Sequence, residues 1–282
     1  MSGTLYVVAT PIGNLEDITF RAVRVLRSAA IIAAEDTRRT GRLLAHHGIQ
    51  ARTMSFHEHN AKSRVPQLLR RLQAGDEVAL VTDAGTPGVS DPGLELVRAC
   101  VEHGITIDPV PGASAPLTAL VASGFPLIPF TIYGFAPNRS KARNEWLAKI
   151  SETAHTFSFF EAPHRIQATL NEAAQYFGNR PIVLGRELTK LHQEFLRGTA
   201  VSLAEELADA RGEFTVVVGP SVNALHQQEI LSSDEELANQ FWQMASTPGV
   251  TRRSALSCIA KQYGKSQKEI YAAVERAKKL GY

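Results

Sequence analysis

Long apolar runs are missing from this chain. None of its segments approaches the roughly 20 apolar residues of a membrane-spanning helix, so a soluble globular protein is expected. The opening MSGTLYVVATPIGN has no basic stretch, and Pro11 and Gly13 break its apolar run, which is not the pattern of a secretory signal. Cysteine is scarce. Cys100 and Cys258 are the only two, far apart and within amphipathic helical patterns. They are expected as buried or half-buried free thiols of a protein in the reducing cytoplasm. The common nucleotide loops are absent as well. After the first apolar stretch, Ala9-Thr10-Pro11-Ile12-Gly13-Asn14-Leu15 holds a single glycine, and Pro11 removes a backbone donor. It is neither a GxGxxG turn nor a Walker loop, so something other than a pyrophosphate belongs there.

What is present is an ordinary core-forming composition, 44% hydrophobic and 21% charged over 282 residues. That length suits two compact domains with a small appendage. The net charge of +2 conceals an asymmetry. Residues 250–282 hold eight Lys and Arg against Glu269 and Glu275, which makes this end +6 and the remainder −4. A basic tail on a mildly acidic body points to a polyanionic partner.

The first hundred residues alternate apolar strand-like runs (5–9, 30–34, 53–56, 78–81, 105–110) with helical periods at 18–26, 37–47, 61–73 and 94–101. This alternation predicts an open, mostly parallel sheet covered by helices on both faces. After Pro111-Gly112, a second unit runs through helix 114–123, strands near 130–133 and 156–160, and helix 164–177. Strand 181–186, a short strand 194–197, a helix from Ser202 and strand 214–218 complete it. Its closer spacing predicts a mixed sheet. A polar linker, 221–232, leads to three short helices. Ser233 with Glu236 and Ser266 with Glu269 read as capping boxes, Pro248-Gly249 as a turn and Gly264 as a C-cap. The last two helices resemble a helix-turn-helix. Expected domains are therefore 1–112, 113–221 and 231–282.

The informative residues stand where the apolar strands end. The run Thr82-Asp83-Ala84-Gly85-Thr86-Pro87-Gly88-Val89-Ser90-Asp91-Pro92-Gly93 is rich in glycine and proline, and Pro111-Gly112-Ala113-Ser114-Ala115 opens a helix with small residues. Such loops let a ligand approach backbone closely. Their place at strand C-termini is where open α/β sheets bind small molecules.

In order along residues 5–190, LYVVATPIGNLEDITFRA, AEDTR, SFHEHN, VTDAGTPGVSDPG, VPGASA, FFEAPHR and GRELTK resemble the tetrapyrrole-methylase superfamily. Within it, they are most similar to its small-subunit ribosomal RNA methyltransferase group. The resemblance implies an α/β protein of two lobes with S-adenosylmethionine in the cleft between them, plus the C-terminal helical module. It further implies a homodimer and 2′-O-methylation of a cytidine in small-subunit ribosomal RNA, naked or in the assembled subunit. Matched onto this sequence, Pro11, then Ala84, Gly85, Thr86 and Val89, then Ser114 and Ala115 are expected against the cofactor. Phe160, Glu161, Ala162 and Leu188 are expected to close over it. Where tetrapyrrole-methylating relatives carry Gly-Gly-Asp, this chain has Ala84-Gly85-Thr86, without the acid, which argues against a tetrapyrrole acceptor.

The charged motifs are expected to meet the acceptor: Glu35 and Arg38 after the second strand, His57, then His164 and Arg165 at a helix start, and Arg186 with Glu187. The bland reading for each is a helix cap or an exposed ion pair. No third spaced ligand accompanies His57-Glu58-His59, and no metal is expected. A ribose hydroxyl must lose its proton to attack, so a base, or a cation beside the developing alkoxide, is required. Asp36 and Lys190 are the candidates. Two other readings compete. One is a tetrapyrrole C-methyltransferase making corrinoid or sirohaem precursors. The other is a metabolite-sensing nucleic-acid-binding regulator.

Overall fold

The computed structural model describes residues 2–88, 93–207, 211–221, 234–247, 250–263 and 265–279. It divides into two compact units, Met1–Gly219 and Pro220–Tyr282.

The first unit holds two sheets. Strands β1 (Thr4–Val8), β2 (Ile31–Ala34), β3 (Thr53–Ser55), β4 (Val78–Val81) and β5 (Thr106–Val110) form one, in the order β3-β2-β4-β1-β5. Every neighbouring pair in it is parallel. Parallel strands are covered on both faces, which is why β2 and β4 are buried at each position. Helices α1 (Phe20–Ser28) and α2 (Thr37–His46) cover one face, where Val25, Leu26 and Leu44 meet Val8 and Ile32. Helices α3 (Ala61–Gln73) and α4 (Gly93–Glu102) cover the other, where Leu68, Leu96 and Cys100 meet Leu5 and Leu80. Burial pushes the Cys100 thiol up to about 11, which keeps it protonated and inert.

Strands β6 (Phe130–Phe135), β7 (Thr156–Glu161), β8 (Ile182–Arg186), β9 (Glu194–Gly198) and β10 (Phe214–Val218) form the second sheet, ordered β6-β7-β10-β8-β9. Only β6 and β7 pair in parallel, so this sheet is mixed. Helix α5 (Ala115–Ser123) lies on one face, while α6 (Ser140–Ser151), α7 (Ile166–Phe177) and α8 (Ala200–Glu206) cover the other. The expected start of α8 at Ser202 moves to Ala200, because Thr199 and Ser202 form a capping box there. Helix α6 escapes sequence reading. Its Arg143 is buried against Glu172 at 2.7 Å, so a charged residue occupies what periodicity requires to be apolar.

The second unit is helical: α9 (Asp234–Ala245), α10 (Arg252–Gln262) and α11 (Gln267–Lys279) pack around Leu237, Phe241, Ile259, Ile270 and Val274. Thr251 caps α10. Ser266 and Glu269 exchange the hydrogen bonds of the expected capping box at the start of α11. Ser233, Pro248, Gly249 and Gly264, and the linker from 222 on, lie outside the described residues. Cys258 is exposed, unlike the half-buried thiol expected. Among the described residues, no helix is long and apolar enough to cross a membrane.

Candidate functional site

The loop after β1 and the loop after β4 are tied together before they meet anything else. Thr10 and Gly85 exchange backbone hydrogen bonds of 2.9 and 3.0 Å, and the Thr10 hydroxyl donates to the Thr82 carbonyl at 3.1 Å. Gly85 adopts φ of +83°, the left-handed region that glycine enters without strain. Its N–H and C=O are both engaged by Thr10, so the loop offers a ligand shape rather than free Gly85 groups.

Above this tie lies a cavity of about 480 Å³. Its floor is small: Ala84, Gly85, Thr86, Ser114 and Ala115. Ile12, Phe135, Phe160, Leu188 and Phe214 supply apolar walls, and Glu35, Asp83, Glu161 and Glu213 place carboxylates around it. Volume and lining suit a mid-sized organic ligand with an apolar ring system and a cationic part. A sulfonium nucleoside has those features. Glu161 is fully buried and satisfied: Arg165 at 2.6 Å, the Thr169 hydroxyl at 2.6 Å and the Ala162 N–H at 2.7 Å all reach it.

A second cavity, of about 490 Å³, adjoins the first and shares with it Ile12, Arg39, Thr82, Asp83, Ala84 and Glu213. Its remaining lining includes Pro11, Gly13, Arg42 and Lys190. Three cations, Arg39, Arg42 and Lys190, make it the basic side of the site.

Hydrogen bonds fix the charged groups on the shared wall. The Glu35 carboxylate accepts from the Thr82 hydroxyl at 2.6 Å and from the Asp83 N–H at 3.1 Å. Asp83 accepts from the Asp36 N–H at 3.0 Å and faces Arg39 at 3.3 Å. Burial, then the charge of Glu35, raises the Asp83 carboxyl above its ordinary value against the opposing pull of Arg39. Lys190 Nζ lies 2.9 Å from Glu187 and 3.2 Å from Glu213. Burial alone would lower the Lys190 ammonium, but its hydrogen bonds and the two carboxylates outweigh that and hold it above the usual lysine value.

Of the residues expected at the cofactor, Ala84, Gly85, Thr86, Ser114, Ala115, Phe160, Glu161, Ala162 and Leu188 line the first cavity together. Pro11 lines the second instead, and Val89 lies outside the described residues. Among the expected acceptor residues, Glu35 is in the first cavity, and Glu187 anchors Lys190 from behind. Arg38, His57, His164 and Arg186 line neither cavity. Arg38 extends outward, 87% exposed, to pair with Asp36. His57 belongs to the turn capping α3, its N–H bound to Asn60 at 2.9 Å. His164 is exposed. Arg165 holds the buried Glu161 and also pairs with Asn138. Arg186 donates to the Arg211 carbonyl at 2.7 Å.

Asp36 caps α2, accepting the Arg38 N–H at 2.8 Å. The side chain of Arg38, then its N–H, holds that carboxyl well below the ordinary range, which makes it a poor proton acceptor. Residues that motif reading passed over are Asp83, Arg39, Arg42, Glu213 and Thr215. Glu35-Asp36-Thr37-Arg38-Arg39 signalled charge at this strand end. Which arginine turns inward depends on the helix phase that Asp36 sets. Among the described residues, no three His, Cys, Asp or Glu side chains are grouped to hold a metal ion.

Residues 4–224 match the family of Tetrapyrrole (Corrin/Porphyrin) Methylases. Ribosomal RNA small subunit methyltransferase I of Micromonospora olivasterospora is 45% identical over 99% of this chain and 90% of its own length. The protein of that name from Halalkalibacterium halodurans is 42% identical over 95% and 93%. Among solved structures, uroporphyrin-III-C-methyltransferase from Thermus thermophilus superposes with a TM-score of 0.57 at 21% identity, using 80% of this chain and 98% of that one. The methyltransferase CobJ gives 0.59 at 23% identity over 78% and 95%. The fold is thus that of tetrapyrrole methyltransferases, and about a fifth of this chain has no counterpart in the Thermus enzyme. The chain belongs to the tetrapyrrole methylase family and, within it, to the ribosomal RNA small subunit methyltransferase I group.

Proposed function

We propose that this protein is an S-adenosylmethionine-dependent methyltransferase acting on the 2′-hydroxyl of a cytidine ribose in small-subunit ribosomal RNA. The observation that carries the reading is similarity at 45% identity along 99% of the chain, past residue 224 where the tetrapyrrole-methylase match ends. The relatives named for ribosomal RNA therefore share the C-terminal helical unit, whereas the Thermus tetrapyrrole enzyme is covered without a fifth of this chain.

S-adenosylmethionine, when bound, supplies a methyl group on a positively charged sulfur. The first cavity suits it, with small residues beneath, apolar side chains around and carboxylates that favour a cation. The basic second cavity suits the acceptor, because Arg39, Arg42 and Lys190 match the phosphates that flank a ribose. Holding both reactants across one shared wall supplies much of the acceleration, since in-line approach is mainly a matter of positioning. Lys190 remains a cation in this setting and is suited to stabilising an alkoxide rather than removing a proton. In this reading the lobes expected at 1–112 and 113–221 carry the chemistry, and the helical unit, 231–282, captures RNA. Ribosomal RNA as the acceptor implies work in the cytoplasm.

A homodimer is part of this reading. Helix α5 is apolar nearly all round, and its Leu117 and Val121 stand exposed four residues apart. A helix apolar on every side is normally buried, and a second copy of the chain would cover it.

The acceptor class is tested by offering methyl-labelled cofactor with either small subunits lacking the modification or uroporphyrinogen. Label in the RNA alone is expected. Label in the tetrapyrrole alone would reinstate the C-methyltransferase, and label in neither would favour the metabolite-sensing regulator.

A further inference from the structure

Asp83 stands on the wall common to both cavities, where a methyl group must pass from donor side to acceptor side. The other carboxylates near it are engaged. Glu35 holds Thr82 and the Asp83 N–H, Glu213 pairs with Lys190, Glu161 is saturated by three donors, and Asp36 caps α2 while binding Arg38. Asp83 differs. Its Oδ1 is anchored by the Asp36 N–H at 3.0 Å, which fixes the side chain. Its Oδ2 pairs at 3.3 Å with Arg39, which lines both cavities as well. An anchored carboxylate on the wall between the two cavities, exchangeable from its arginine to an incoming hydroxyl, is placed as general base catalysis requires.

We infer that Asp83 is the catalytic residue that takes the proton from the acceptor hydroxyl, an inference that rests on the acceptor proposed above. In the step, the O–H bond breaks and its proton passes to Asp83 Oδ2. The electron pair left on oxygen forms the new O–C bond, while the pair of the breaking C–S bond stays on sulfur. Asp83 then releases the proton to solvent. Its proton affinity is matched to the task, because partial burial and Glu35 raise it while Arg39 and the Asp36 N–H restrain it. The charged groups facing it are Glu35 and Asp36 after β2, and Arg38 and Arg39 on α2.

The test uses the full-length protein with small subunits in single turnover. Asp83→Asn keeps an acceptor for the Asp36 N–H, so the loop should hold and S-adenosylhomocysteine should bind with wild-type affinity in calorimetry. Methyl transfer should fall by roughly 10²–10⁴-fold, the usual contribution of a positioned base. The wild-type rate should decline on an acidic limb above the ordinary Asp value of about 3.9. Arg39→Gln, by removing the restraining cation, should move that limb to higher pH. An infrared pH titration of the protein alone should show a carboxyl band with the same shifted midpoint, absent from Asp83→Asn. If Asp83→Asn retains most of the rate, the inference is overturned while the RNA reading stands. Should that variant not fold, a wild-type limb that stays put in Arg39→Gln overturns it equally. Wild-type protein that transfers no methyl to small-subunit RNA overturns the RNA reading itself.

Discussion

A Cβ added to Gly13 would stand 2.5 Å from Cγ of Lys190, and 2.8 Å from the Leu188 carbonyl oxygen beside it. The loop after β1 and the loop after β8 therefore meet closer than any side chain permits, and the Asn14 N–H donates to the Thr189 hydroxyl at 3.0 Å across the same contact. Backbone cannot swing aside as a flexible side chain can, so Gly13→Ala must part the two loops. A loss of about 1–3 kcal/mol in thermal or urea unfolding is expected, as for overpacking elsewhere. Turnover should fall further than stability, because Lys190 moves with its loop. An unchanged melting temperature would show that the contact is looser than described.

Lys190 should act as a permanent cation. Its folded value lies above the unfolded one, so its ion pairs stabilise the protein fully below about 10.4 and lose that contribution only as pH rises through the higher folded value. Turnover should show no alkaline limb from Lys190 in the neutral range. Lys190→Met should lower turnover by roughly 10²–10³, as loss of one oxyanion donor does. Paired with Glu187→Gln, which relieves the stranded carboxylate, it should show the same loss. Recovery of activity in the double variant would mean that charge balance, not alkoxide stabilisation, is the role of Lys190.

Gly85 has room for a methyl group, since its nearest neighbours would be Ile12 Cγ2 at 3.5 Å and the Ala113 carbonyl at 3.6 Å. The obstacle is its φ of +83°. Gly85→Ala should cost about 1–2 kcal/mol, the penalty of a left-handed L-residue. Gly85→Val, stiffer at Cβ, should in addition break the pairing with Thr10 and abolish S-adenosylhomocysteine binding with the circular dichroism spectrum intact. Undiminished affinity in calorimetry would remove this loop from the cofactor site.

The elements of the first sheet are legible in the sequence because each buried strand is a short apolar run ended by small residues, as in Val78–Val81 before Thr82-Asp83. The cofactor loops are legible for the same reason. Partnerships between distant residues are not. Asp83 receives the Asp36 N–H across 47 positions, and Lys190 meets Glu213 across 23. Nothing local in either sequence marks the pair. Arg38 and Arg39 are indistinguishable as letters. One residue of helix phase, about 100°, sends the first to Asp36 and the second to Asp83.

The helical unit should carry much of the affinity for RNA. Each phosphate contact that releases a counterion adds about −0.9 for duplex, or −0.7 for single strands, to the slope of log affinity against log salt. With +6 over residues 250–282, removal of residues 231–282 should weaken RNA binding and flatten that slope by roughly two to four. S-adenosylhomocysteine affinity should survive, since every cavity residue precedes position 216. An unmoved slope with an altered sedimentation coefficient would make the unit a packing element instead.

The atom that receives the methyl group can be read directly. Small subunits lacking the modification, incubated with methyl-labelled S-adenosylmethionine and the full-length protein, can be digested to nucleosides and resolved by mass spectrometry. The label is expected in one species, 2′-O-methylcytidine, with the added mass on the ribose fragment. Label on the base fragment, or on another nucleoside, would rule out the cytidine 2′-hydroxyl as the acceptor.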